Sequence, residues 1–362
     1  MKRTKSATYG ISALLALTIA VAGCGSSDDS PAPAPVPAPT PAPAPAPGIS
    51  LSGAVARPAD FTSASLKAGY AEVTQDVNYL AGSNPQSKTY LGVPLFDVVQ
   101  DALAADNNTP GATNTGNAGR RLIEHYVLST ATDGYQVVFA LGELSPNFGG
   151  NSAPNQPLIA YAEKVNDTVT PLDDSTDGPF RITAPGDTRG GRYASGVTKL
   201  EVGVPPATPV SGSNPGGQSS SLVVNGKVAN GRTFTVNELK ALTARTATYS
   251  GTTYRGAGLY DLLNTTVGLT TSSTGRNNAV LSLYAVATAT DGFRAVVSLG
   301  EIHPNFGNRP AIVAYETESG DGLGNSGELR LIISRNATTP ETAGARQVSN
   351  LAEIQVFEAG TP

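Results

Sequence analysis

Apolar positions in this chain fall in short runs, and their spacing switches between strand and helix periods. Val127 to Thr132 and Gln136 to Leu141 are β-rich runs on either side of Asp133-Gly134, and Tyr284 to Thr290 and Arg294 to Leu299 flank Asp291-Gly292 in the same way. Such pairs predict hairpins, because glycine accepts the positive φ that a tight turn demands. Over Pro94 to Ala105, the residues Leu95, Val98, Val99 and Leu103 recur at helical spacing and predict an amphipathic helix, with a shorter one at Gly258 to Asn264. Thr235 and Glu238 have the spacing of a capping box opening a further short helix. Short strands with a few short helices, not strictly alternating, predict α+β domains around a mixed sheet.

The pattern repeats. "YLGVPLFDVV" at Tyr90 to Val99 returns as "YRGAGLYDLL" at Tyr254 to Leu263, and "ATDGYQVVFALGELSPNFGG" from Ala131 returns as "ATDGFRAVVSLGEIHPNFGN" from Ala289. "IAYAE" from Ile159 returns as "VAYET" from Val313, and "VTKLEV" from Val197 as "LAEIQV" from Leu351. Order is kept and the offsets of these motifs stay between 154 and 164 residues, which predicts a tandem duplication. The expected organisation is a leader at residues 1–23, a spacer at 24–48, a first copy at 49–205, a linker at 206–220 and a second copy at 221–360.

The leader has a basic start (Lys2, Arg3, Lys5) and an apolar run from Ile11 to Ala22, too short to span a bilayer. It ends in Val21-Ala22-Gly23-Cys24, which is similar to the lipobox of bacterial lipoproteins and implies acylation of Cys24. Gly25 follows, not Asp, so the expected address is the outer membrane, with the domains facing the periplasm or the cell surface. The lipid would anchor the protein to a membrane while its domains stay in water. From Pro31 to Pro47 the chain is a Pro/Ala tract. At about 3.1 Å per residue in polyproline II it would hold the first copy roughly 50 Å from the anchor.

Composition narrows the function classes. The 362 residues include 15% charged side chains, 40 Gly and 27 Pro, with a net charge of −5. Without the three basic leader residues the balance is more acidic, so no nucleic-acid partner is expected. One Cys and two His cannot build a Cys/His zinc cluster. His125 and His303 are expected as surface or capping residues. There is no G-x-S-x-G elbow with a partner histidine and no Walker-type loop.

The series "YLGVPLFDVV", "ATDGYQVVFALGEL", "LIAYAE", "GPFRITAPGDTRGGRY" and "VTKLEV" resembles, in order and spacing, the molybdopterin-binding domain of the sulfite oxidase family across nearly all of residues 70–203. The second copy keeps the first three elements and the last. The resemblance implies an α+β fold in two tandem copies, each a mixed sheet with short helices, and it implies molybdopterin as cofactor. In that family a cysteine thiolate ligates molybdenum, from a loop after a strand and upstream of the "GVPL" helix. The corresponding segments here, Val73 to Pro85 and Ala247 to Thr253, contain neither Cys nor His. A soft metal centre wants thiolate, so no residue is assigned as a metal ligand and none as catalytic.

Arg181, Asp187, Arg189 and Arg192 form the densest polar group in the chain. Together they are the candidate pocket for a pterin phosphate or another small anion, with a solvated turn as the plainer alternative. Arg330, Arg335 and Arg346 are the second-copy equivalents. Asp133 and Tyr135 correspond to the family's Asp-Gly-Tyr segment near the cofactor cleft, or else make a hairpin turn and a core aromatic. Glu143 and Glu301 sit in helical turns of separate copies, which gives a paired-carboxylate acid–base site no support. "SPNFGG" and "HPNFGN" read as turns. The function expected is a binding or scaffolding module, taking a small anionic ligand or an envelope protein. A molybdopterin-dependent oxidoreductase subunit, with the pterin in the first copy, and a structural surface lipoprotein are the alternatives.

Overall fold

The structure, a computed structural model, describes residues 48–103, 122–173, 177–206, 216–272, 277–334 and 346–360. Cys24, the lipobox, nearly all of the spacer, most of the linker and Arg335 lie outside the described residues. Among the described residues no helix is long and apolar enough to cross a membrane.

Residues 48–206 carry the strands β1 (Ile49–Gly53), β2 (Ala59–Phe61), β3 (Val73–Ala81), β4 (Asn84–Pro94), β5 (Tyr126–Ala131), β6 (Gln136–Ala140), β7 (Leu158–Val165), β8 (Thr168–Pro171), β9 (Arg181–Ile182) and β10 (Val197–Gly203). Residues 216–360 carry β11 (Ser221–Gly226), β12 (Arg232–Thr235), β13 (Ala244–Tyr249), β14 (Thr252–Gly258), β15 (Leu283–Ala289), β16 (Arg294–Ser298), β17 (Ala311–Thr317), β18 (Arg330–Ile333) and β19 (Leu351–Glu358).

Each half builds one mixed and one antiparallel sheet. The mixed sheets run β2-β1-β10-β5-β6 and β12-β11-β19-β15-β16, with one parallel pair in each, β1 with β10 and β11 with β19. The antiparallel sheets run β3-β4-β7-β8, with β9 also on β7, and β13-β14-β17-β18. With few short helices beside them, this is an α+β architecture, as the pattern predicts.

The local signals act where the sequence places them. Asp133-Gly134 and Asp291-Gly292 join β5 to β6 and β15 to β16, with Gly134 and Gly292 at φ of 81° and 84°. In each turn the aspartate Oδ1 accepts from the N–H two residues on, that of Tyr135 or Phe293, which locks the loop by an Asx turn. Leu95–Leu103 is helical and buries Leu95, Phe96, Val98, Val99 and Ala102. The capping box of Thr235 and Glu238 is formed, opening the helix Val236–Lys240.

The hairpins β5–β6 and β15–β16 are apolar on both faces, and both faces are covered. Val127, Val137 and Phe139 face the first half's own core, whereas Leu128, Val138 and Ala140 meet Tyr284, Val286 and Val296 of the second half. Ala285, Ala287, Ala295 and Val297 complete the alternation from the other side. The Tyr126 and Tyr284 rings lie 4.4 Å apart across this seam. A strand buried on both faces reads as a continuous apolar run, not an alternating one.

The halves also exchange side chains. Ile123 and Phe148 of the first half pack in the second half's core, and Leu281 and Phe306 of the second half pack in the first half's core. The segments "SPNFGG" and "HPNFGN" are therefore turns, as expected, but turns that carry an anchor into the opposite half.

Candidate functional site

A cleft of about 920 Å³ opens where the first half's turns meet the second half. Its walls are the tip of the β3–β4 hairpin, the Asp133-Gly134 turn, the single helical turn Gly190–Arg192 and, from the second half, Asn277, Asn278, Asn305 and Phe306. Two backbone bonds hold the two sides together, from the Thr188 and Arg189 N–H groups to the Phe306 and Asn305 carbonyls. Tyr135 donates to the Gly191 carbonyl at 2.6 Å, and Asn278 Nδ2 donates to the Tyr135 hydroxyl at 3.2 Å. Tyr135 is thus neither a simple core aromatic nor a free hydroxyl: it ties the glycine turn to the other half.

Arg181 lies in the wall, with only 7% of its side chain exposed. It is paired with Asp177, donates to the Tyr79 hydroxyl at 3.1 Å, and lies 5.5–5.8 Å from the ring centres of Tyr79, Tyr90 and Tyr193. Tyr90 donates to Asp177 Oδ2 at 2.8 Å. Burial pushes the phenols of Tyr90 and Tyr193 well above the usual tyrosine range, so both stay protonated and neither acts as a base. Lys88 is likewise neutralised, by Glu163 at 2.7 Å. Arg189 is exposed, and its Nη1 donates to the Gly82 carbonyl at 3.2 Å. It is the one cleft cation without an acidic partner among the described residues.

Arg192 and Asp187 lie elsewhere. They are buried between the halves and do not line the cleft. Arg192 Nε and Nη2 donate to the two Asp187 oxygens at 2.8 and 2.7 Å, and Nη1 donates to Glu143. Arg346 makes the matching pair in the second half, with Nη1 and Nη2 on the two Glu301 oxygens at 2.8 and 2.5 Å. Arg309 Nη1 approaches Glu301 to 3.0 Å, and Ser298 donates to Glu143 Oε2 at 2.7 Å across the seam. Three guanidinium groups and three carboxylates thus form one buried network. Burial raises the Glu143 carboxyl against the pull of Arg192, with the charge of Glu301 adding to the rise. Burial also raises Asp187. It opposes ionisation of Glu301 too, but Arg346 and Arg309 outweigh it and hold that carboxyl low.

Of the sequence-predicted residues, the structure brings Arg181, Arg189, Asp133 and Tyr135 to one cleft. It places Arg192 and Asp187 in the ionic seam, where two carboxylates hold the guanidinium and burial keeps it away from the cleft. Glu143 and Glu301, expected apart, meet in the same seam. His303 is half-buried; its Nδ1 accepts from the Asn305 N–H at 3.0 Å, and burial lowers its pKa. In the second half, Arg330 lies over the Tyr249 and Tyr254 rings at 5.1 and 5.7 Å, a reduced form of the Arg181 cage. The sequence reading missed Tyr79, Lys88, Asp177 and the asparagines of the second half; only the alternation along β3 pointed at Tyr79.

These residues do not fit a metal–pterin cofactor. The segment Val73 to Pro85, where the resemblance puts the metal ligand, is a hairpin paired from Val73↔Gly92 to Ala81↔Asn84, and among the described residues no sulfur or imidazole lines the cleft. Among the described residues no cluster of His, Cys, Asp and Glu has metal-binding geometry. Two of the three cleft cations are already spent on carboxylates, which leaves Arg189 alone for a phosphate dianion.

Neither a protein-family model nor a curated protein matches the chain. Among solved structures the chain is similar to the sulfane dehydrogenase SoxCD from Paracoccus pantotrophus, at 10% identity and a TM-score of 0.32, over 87% of this chain and 78% of that one. The functional reading therefore rests on the residues of the site itself.

Proposed function

We propose that the chain is a ligand-binding module of the bacterial cell envelope, held by lipid on Cys24 behind its Pro/Ala spacer. In this reading two tandem copies of a domain of the sulfite oxidase molybdopterin-binding type have kept the cradle and lost the metal chemistry. The observation that carries it is the donor set of the cleft: oxygen and nitrogen groups in preformed hydrogen-bonded positions, with no soft ligand. A concave site with a few convergent polar groups is the usual form of a small-molecule site. The near-balance of Lys88, Arg181 and Arg189 against Asp133, Glu163 and Asp177 favours a polar ligand with at most one negative charge, placed against Arg189. The same balance speaks against the oxidoreductase alternative.

The test is native mass spectrometry of the full chain purified from the periplasm or envelope, with elemental analysis of the same sample. The expected result is an adduct of small organic mass, released on unfolding and absent from Ser195→Trp, which would fill the cleft from its exposed rim. Stoichiometric molybdenum overturns the proposal, and so does a spectrum unchanged by Ser195→Trp.

A further inference from the structure

A second cleft, of about 480 Å³, lies in the second half, away from the one described above. Its lining includes Arg245, Tyr260, Asp261, Ile302, Asn308 and Arg309. The first half fills the corresponding place. There the run from Phe148 to Ile159 is four residues longer than the run from Phe306 to Val313, and its Pro154 and Gln156 carbonyls accept from Gln75 on β3. The shorter second-half loop leaves β13 uncovered at Arg245 and Thr246.

Arg309 is the anomaly in this cleft. Its side chain is 8% exposed, yet among the described residues its guanidinium makes no hydrogen bond, and its Nη1 is shut off from water without a partner. Glu301, the one carboxylate within ion-pair distance of it among the described residues, already holds Arg346 through both oxygens, and the Arg309 approach to it is an ion-pair contact without hydrogen-bond alignment. Five donors on a buried planar fork are normally matched, and each exception calls for a physical account. The carboxylate in the cleft lining, Asp261, is taken by Arg245 at 3.0 Å.

We propose that this cleft binds an organic monoanion, a carboxylate with an apolar body, and that Arg309 is its anchor. Two arginines share one glutamate at this end of the ionic seam, while the other two carboxylates of the network, Asp187 and Glu143, are held by Arg192 at its far end. A carboxylate matches the guanidinium fork in charge and in planar geometry. Tyr260, Ile302 and the neighbouring Pro310 supply apolar walls for the remainder of the ligand. None of these residues lines the first cleft, so this site stands or falls separately from the proposed function.

Calorimetric titration of the full chain with benzoate, and with the neutral isostere benzamide, tests the assignment. Benzoate is expected to bind saturably at millimolar concentration and benzamide not to bind. Arg309→Gln is expected to weaken benzoate at least ~10-fold, the loss that goes with removing a charged hydrogen-bonding partner. Thr246→Trp, which blocks the cleft from an exposed position, is expected to abolish binding, and it decides the matter if Arg309→Gln fails to fold. Absence of saturable binding, equal binding of benzamide, tighter binding of inorganic phosphate, or benzoate affinity unchanged in either folded variant would overturn the proposal.

Discussion

Arg192 lies across Gly300 of the opposite half, its Cδ 2.6 Å from the point where a Cβ on that glycine would stand. Its counterpart Arg346 lies across Gly142 in the same way, at 2.7 Å. Both glycines occupy the second position of "LGE" turns whose glutamates receive these arginines, Glu143 for Arg192 and Glu301 for Arg346. The two halves are thus joined by a reciprocal clasp, in which each arginine belongs to one half, pairs with that half's own glutamate and rests on the other half's glycine.

Gly300→Ala tests the clasp directly. A long arginine on a surface would swing away from an added methyl, but Arg192 is fixed at both ends by Asp187 and Glu143. The methyl therefore overpacks the seam, and a loss of about 1–3 kcal/mol is expected by urea unfolding. Gly142→Ala is expected to cost a similar amount against Arg346. Wild-type stability in both variants would show that the arginines yield freely.

Much of this architecture is legible in the sequence, and the reason is locality. The Asp-Gly turns, the Thr235–Glu238 box and the helix over Leu95–Leu103 are each set by residues within a few positions of one another. What joins the halves is not local. Arg192, in a Gly-rich turn after a strand, has the local signature of an exposed anion ligand, and only its burial against Gly300 makes it a structural counter-ion. Phe148 and Phe306 sit in segments that composition marks as turns, and nothing near them in sequence says that they leave their own half. One signal was present: Val137-Val138-Phe139-Ala140 and Ala295-Val296-Val297 are continuously apolar in hairpins that would alternate if one face met water.

The exchanged phenylalanines give a second prediction. Phe306 is buried among residues of the first half's core, where its ring abuts Gly191, and Phe148 is buried in the second half's core. Truncating either should leave a cavity in the half that does not supply it. Phe306→Ala is expected to destabilise the fold by about 3–5 kcal/mol. Because its loss frees the Gly190–Arg192 turn, hydrogen exchange at Arg189 and Arg192 should quicken more than exchange in β15 and β16. Faster exchange confined to the second half would contradict the exchanged packing.

Glu238 carries the clearest pH signature of the chain. The Thr235 backbone N–H, Arg232 and the Thr235 hydroxyl all bond its carboxylate, in that order of effect, and they hold its pKa at about 2, below the ordinary 4.5. The Arg232 contact is 2.6 Å and the bond from the Thr235 N–H 2.8 Å. A carboxyl whose folded pKa is depressed stabilises the fold above its unfolded value and loses that contribution as the pH falls through its folded one. The helix start at Val236–Lys240 should therefore hold at pH 5 and loosen progressively between about pH 4.5 and 2. Carboxyl-carbon NMR titration is expected to give a Glu238 midpoint near 2, and Arg232→Ala should move it upward toward the ordinary value. The midpoint should stay depressed in Arg232→Ala, since the largest contribution comes from the backbone N–H, which that substitution leaves in place. A wild-type midpoint near 4.5 would mean that the capping box is not formed in solution.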